Sequence, residues 1–198
     1  MFLPFYRFPK PHLAKPLPVS AVDAFDFPVD FHNTPVLHSE TSNPKRGTSM
    51  QLKGEVTIRA PRKKVWDFLT DPNQIGQCMP GVEKIETIVP LKKYRGVVSV
   101  GLGSVKARFN GDVEILELDE PNRAKLKAHG TATGSAADAV SEMSLSDGPD
   151  NSTLVQWTAD INVSGQLASL VSRLMVPVSQ KLAGVFYDEV RKRIEKEE

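Results

Sequence analysis

The residues that could do chemistry are few and scattered. His129 is the only histidine beyond His38. A general base needs an imidazole held beside a reacting proton. In "NRAKLKAHGTATG" strand alternation sets Ala124, Leu126 and Ala128 on one face and His129 with Arg123, Lys125 and Lys127 on the other, so His129 reads as part of a solvated polar face. Cys78 is the sole cysteine. A lone thiol makes no internal disulfide and no cysteine-based zinc cage. Beside Pro80-Gly81, with no histidine near it in sequence, it reads as a small buried residue rather than a nucleophile. Glu142 and Asp160 fall on the outward register of their strands. "GLGS" lacks the strand–loop–helix frame of a phosphate cradle, and no HExxH or CxxC spacing occurs. No catalytic residue and no metal ligand is therefore assigned. What remains is recognition chemistry: Tyr94 and Trp157 each join an apolar body to a hydrogen-bonding tip that could orient a polar ligand head.

Composition narrows the function class further. The formal charge is +1, whereas a binder of nucleic-acid backbone carries a clear basic excess. No run of about 18 consecutive apolar residues is present to span a bilayer. The single thiol suits a reducing interior, so a cytoplasmic location is expected. The basic clusters Arg62–Lys64, Arg123–Lys127 and Arg191–Arg193 read as solvated faces, with docking on a membrane surface or a partner as the alternative.

The chain divides unequally. Residues 1–49 hold most of the phenylalanines and more than half of the prolines, too dense in proline for a helix or a central strand. They show neither period 2 nor period 3.6 and are expected to be disordered or loosely packed. "KRGTS" just before Met50 is compatible with a ribosome-binding site misread as coding sequence. Translation from Met50 is one reading; a genuine N-terminal arm, flexible or built for docking, is the other. Residues 50–198 form the expected folded domain.

That domain opens with "MQLKGEVTI", where Leu52, Gly54, Val56 and Ile58 alternate with polar residues as in a half-buried strand. "APRKKVWDFLTDP" is a helix with Pro61 at its first position and an apolar stripe of Val65, Phe68 and Leu69; Asp71-Pro72 ends it. A short helical turn and a loop around Pro80-Gly81 follow. Five or six strands come next, joined by short turns, with one polar and one apolar face; that is an antiparallel meander. Its apolar face carries Tyr94, Val98 and Val100, then Phe109 and Val113, then Met143, Leu145 and Trp157. The closing segment, Gly165–Ile194, repeats apolar residues at three- and four-residue steps, among them Leu170, Leu174, Met175 and Val178. About thirty residues at ~1.5 Å each give roughly 45 Å, enough to cross a curved sheet. Pro177 predicts a kink there or a division into two helical segments.

The expected architecture is α+β: a curved antiparallel sheet wrapped on a long C-terminal helix. A bent sheet and a straight rod do not touch along their whole length, which leaves room for an apolar cavity. The twelve residues just named are its expected lining. For Phe109, Met143, Trp157 and Met175, simple packing is an equally good reading.

At this point the motifs match a family. "LKGEVTIRAPRKKVWDFLTDP", "CMPGVEKIE", "GLGSVKARFNGDVEI" and "GQLASLVSRLM" together resemble the G-subunit family of carbon monoxide dehydrogenase, within the helix-grip superfamily of START and Bet v 1 domains. The resemblance runs from about Met50 to Phe186. It implies a non-catalytic accessory protein of a molybdenum hydroxylase-type dehydrogenase, holding menaquinone or another lipid-like molecule and no covalent cofactor, with peripheral contact at the inner face of the membrane. Other superfamily members are cyclases and hydrolases, so a cavity enzyme and a pure interaction module stay open as alternatives. Some family members carry a Pro-rich linker and amphipathic anchor after the last helix, where this sequence ends in "RKRIEKEE".

Overall fold

Alternation sets the first element. Leu52, Val56 and Ile58 are buried while Gln51, Lys53, Glu55 and Thr57 between them are exposed, along β1 (Thr48–Ile58). The computed structural model describes residues 47–102 and 104–195, without the side chains of Leu102, Ser172, Met175 and Val176. The expectations for residues 1–46 lie outside the described residues. β1 begins two residues before Met50: the Thr48 hydroxyl donates to the carbonyl of Ala168, 3.1 Å away.

α1 (Arg62–Thr70) follows, with Pro61 as its N-cap. Its buried residues are Val65, Trp66 and Leu69, with Phe68 only partly buried, so Trp66 joins the stripe read from the sequence. Asp71 closes α1 and caps α2 (Pro72–Cys78), accepting from the N–H of Asn73 at 2.8 Å. At the turn into β2 (Val82–Val89), Gly81 adopts φ +83°, and a Cβ there would lie 2.1 Å from the carbonyl oxygen of Ser99. Only glycine fits that approach.

Five more strands complete the meander: β3 (Lys93–Leu102), β4 (Val105–Asp119), β5 (Arg123–Ala132), β6 (Ser135–Asp147) and β7 (Thr153–Gly165). The sheet is antiparallel with seven strands in the order β1-β7-β6-β5-β4-β3-β2. The last strand thus returns to pair with the first. α3 (Ala168–Ile194) is one unbroken helix with Pro177 inside it, so the expected division into two segments does not occur.

Register shows how the sheet is sided. Directly opposed residues share a face, and rows of partners can be followed from strand to strand. One inner row is Met50–Ile161–Ala139–Ala128–Val113–Tyr94; the next is Leu52–Ala159–Ser141–Leu126–Ile115. This face meets α3. The outer face is a polar ladder in which Asp112 pairs with Arg95 and Lys93, Glu114 with Lys127, and Glu142 with Lys125 and Arg123. α3 approaches β1, β7 and β3 within 8 Å, although β3 stands five strands away from β1 in the sheet. The sheet must therefore arch around the helix, with its middle strands as the vault.

Candidate functional site

Two apolar clusters form where helix and sheet meet. One joins Phe186, Val190 and Ile194 of α3 to Val65, Trp66 and Leu69 of α1, to Cys78, and to Val56, Leu145 and Val155 of the sheet. The other joins Leu167 and Val171 to Ala107 and Val163, with Val100, Phe109, Leu170, Leu174 and Val178 packed against it. The vault lies between them.

The structure places the predicted wall residues on this inner face. Tyr94, Val98 and Val100 stand on β3, Phe109 and Val113 on β4, Met143 and Leu145 on β6, and Trp157 on β7. Leu145 is the exception in burial: it is sealed inside the first cluster and serves as core. The other seven are half-buried although they face the helix, as are Leu170, Leu174 and Val178 on α3. Of these, Met143 packs on the first cluster and Val100, Phe109, Leu170, Leu174 and Val178 on the second, while Tyr94, Val98, Val113 and Trp157 belong to neither. The side chain of Met175 lies outside the described residues.

The inner face of the vault also carries small residues that the sequence reading passed over. Its floor carries Ala128, Ala139, Ser141 and Ala159, and a row of opposed glycines, Gly96–Gly111–Gly130, crosses β3, β4 and β5. A Cβ on Gly111 would come within 2.4 Å of the carbonyl oxygen of His129, so the backbones approach too closely there for a side chain. The signal was present in the sequence as small residues at the inward positions of "FNGDV", "KAHGT" and "SAADAVS". Trp157 lies across Gly54, its opposite partner on β1, where a Cβ would sit 2.8 Å from the indole. The Tyr94 hydroxyl and the Trp157 N–H have no partner among the described residues, and neither is cut off from solvent. Both are free to donate to a guest.

Ionisable groups occupy the other face. His129 Nδ1 lies 2.7 Å from Asp138 Oδ1 on the outer side, with both side chains well exposed. Asp160 accepts from Gln51 Nε2 at 2.8 Å, also outward. Two depressions walled by described residues, about 870 and 400 Å³, open to solvent among outward side chains such as Lys93, Asp112 and His129, and the larger also touches Met50, Ala128, Ala139 and Ile161 of the first inner row. Cys78 is fully buried, and that burial pushes its thiol up to about 11, away from the thiolate a nucleophile needs. Among the described residues no three of His, Cys, Asp and Glu are grouped to hold a metal ion.

The sequence of residues 54–195 matches the family model for the G-subunit of carbon monoxide dehydrogenase (CoxG). The chain belongs to the CoxG family. This CoxG-family chain also shares its fold with solved structures. A conserved protein from Geobacillus kaustophilus superposes with a TM-score of 0.68 at 24% identity, covering 74% of this chain and 95% of that one. A START superfamily protein from Mycobacterium smegmatis gives 0.55 at 14% identity, over 74% and 97% of the two chains. The Zhui aromatase/cyclase from Streptomyces sp. R1128 gives 0.54 at 16% identity, over 73% and 95%. The fold is therefore the START/Bet v 1-like helix grip. No curated protein matches the sequence. No helix among the described residues is long and apolar enough to cross a membrane.

Proposed function

We propose that this CoxG-family protein is a non-catalytic carrier that holds a quinone- or lipid-like molecule under α3 and serves a molybdenum-containing dehydrogenase or its coupling to membrane quinone. The observation that carries this reading is the inner face itself. Beside two sealed apolar clusters it presents half-buried Tyr94, Val98, Val113 and Trp157, which belong to neither, among glycine, alanine and serine. The carboxylates, ammonium groups and imidazole of the strand centres turn outward. Such a wall gains roughly 25 cal/mol for each Å² of apolar surface that guest and wall take from water. Two unpartnered donors, the Tyr94 hydroxyl and the Trp157 N–H, suit a ligand that carries carbonyl oxygens on an otherwise apolar body. Menaquinone has that chemistry. The proposed location is cytoplasmic, with peripheral contact at the inner face of the membrane.

Native mass spectrometry after gentle purification tests the reading. The protein is expected to retain an apolar small molecule, or to take up menaquinone at micromolar concentration. Val113→Glu, which places a carboxylate on the vault, is expected to abolish uptake while the fold persists. If neither quinones nor fluorescent lipids bind at micromolar levels, the carrier reading falls.

A further inference from the structure

Register aligns the outward residues of the sheet in rows, and two of those rows edge the larger depression, about 870 Å³. One runs from Gln51 on β1 through Asp160, Val140, Lys127 and Glu114 to Lys93 on β3. The neighbouring row runs from Ser49 through Asp138 to Asp112. Together they make a groove across six strands, roughly 24 Å long at ~4.8 Å between neighbours.

Charge along this groove is unevenly matched. Lys93 and Lys127 are answered by Asp112 and Glu114. At the end nearer β1, Asp160 accepts only from the neutral amide of Gln51, and Asp138 meets only His129. Neither acid is paired with a lysine or arginine among the described residues. Directly opposite Asp160 stands Val140, an apolar side chain left 39% exposed among charged neighbours. Two acids without a cation, beside uncovered apolar surface, fit a cationic segment that carries aromatic rings.

The chain itself supplies such a segment and enters the sheet beside the groove. The described backbone begins at Gly47, two residues before Ser49 of the groove's rim. Residues 5–15, "FYRFPKPHLAK", carry Arg7, Lys10 and Lys15, the rings of Phe5, Tyr6 and Phe8, and no acid. The acids ahead of Gly47 (Asp23, Asp26, Asp30 and Glu40) all come later. Residues 16–46 lie between segment and sheet, and at up to ~3.4 Å each they reach every point of the groove. Pro9 and Pro11 have φ fixed in advance, so ordering them on a surface costs less backbone freedom. A tethered segment also needs little intrinsic affinity, since linkage sets its effective concentration near the millimolar range.

We propose that residues 5–15 dock in this outer groove of their own chain, with Arg7 and Lys10 against Asp138 and Asp160 and the aromatic rings over Val140. The site lies on the opposite side of the sheet from α3 and is independent of the carrier reading.

Crosslinking in the full-length chain tests this, because its one natural thiol, Cys78, is fully buried. Leu13→Cys combined with Val140→Cys is treated with a short bismaleimide at low protein concentration. Its intramolecular yield is expected to be about tenfold above that of Leu13→Cys with Gln156→Cys, an exposed position on β7 outside the groove. Arg7→Glu with Lys10→Glu should lower the Val140 yield about fivefold, and Asp138→Lys with Asp160→Lys in the same chain should restore it. Added salt should lower the yield in the chain with its charges intact. That titration needs no charge reversal, so it decides the matter even where a reversed chain melts early. The proposal is overturned if positions 140 and 156 crosslink equally, if the product joins two chains, or if neither salt nor charge reversal changes the yield. An intact mass showing that the native protein starts at Met50 overturns it as well.

Discussion

α3 packs in two ways along one apolar stripe. Near its C-terminus Phe186, Val190 and Ile194 are 8%, 0% and 1% exposed. Earlier, Leu167 and Val171 are sealed at 8% and 3%, but Leu170, Leu174 and Val178, at the same four-residue spacing, pack on that cluster and remain half-buried. The helix supplies comparable side chains to both stretches, so the difference comes from what lies opposite. Below the last turns stand Val65, Trp66, Leu69 and Cys78 of α1 and α2, which plug that end of the arch. Below the middle lie alanines, a serine and opposed glycines. Tight and looser packing thus share one helix, with the partner surface deciding which is which.

Truncating the helix at each place tests that comparison most strongly. Ile194→Ala should cost about 2–4 kcal/mol, because the surroundings are close-packed and leave a void. Leu174→Ala should cost under about 1.5 kcal/mol, because part of its surface is already wet. Urea unfolding measures both, and equal costs would break the contrast. Gly54→Ala comes next. Its Cβ would lie 2.8 Å from the Trp157 ring, and displacing an indole ordinarily costs about 1–3 kcal/mol. The proposed vault would let the ring swing aside, so a value near the low end with a shifted tryptophan emission is expected. A cost at the high end would mean the vault is full.

Titration sharpens the same contrast with smaller effects. Burial at the plugged end pushes the Cys78 thiol from 9.0 to about 11 and pushes the Tyr187 phenol upward as well. An acid whose folded pKa is raised lends stability that is complete below its unfolded value and fades as pH climbs through the folded one. Stability should therefore decline between about pH 9 and 11, and Cys78→Ala should blunt the decline in urea midpoints. On the open outer ladder Asp112 is held down to about 2, first by its hydrogen bond from Arg95 and then by Lys93. The sign is reversed there: the contribution is present above the ordinary value of 3.8 and is lost as pH falls toward 2. Asp112→Asn is expected to leave neutral-pH stability nearly unchanged and to flatten only that acid limb, since exposed pairs contribute little.

The legibility of the sequence follows the same division. β3 to β7 could be read because one face of each is covered, and the resulting alternation is strict, as in Val155, Trp157, Ala159, Ile161 and Val163. β2 could not be assigned as a strand. It sits at the sheet edge, nearly all of it is exposed, and "VEKIETIV" carries no two-residue period to expose it. Trp66 was missed in α1 because the plugged end wraps around more than one helix face. The wall was found by its large residues and its floor was missed, because periodicity reports where apolar mass is placed and says little about where it is withheld. Leu145 shows the converse error: its register is right, but α1 and the last turns of α3 cover it.

The fastenings of α3 carry one more implication. Its first turn is tied by Thr48 to the Ala168 carbonyl and by the Ser135 hydroxyl to the N–H of Leu167. Its last turns are tied by Lys64 to the Ile194 carbonyl and by Arg193 to Gln77. A beam clamped at both abutments does not swing like a door. If the chamber is to admit bulky cargo, the rod must bow near Pro177, where the ring has already removed one rung of its ladder.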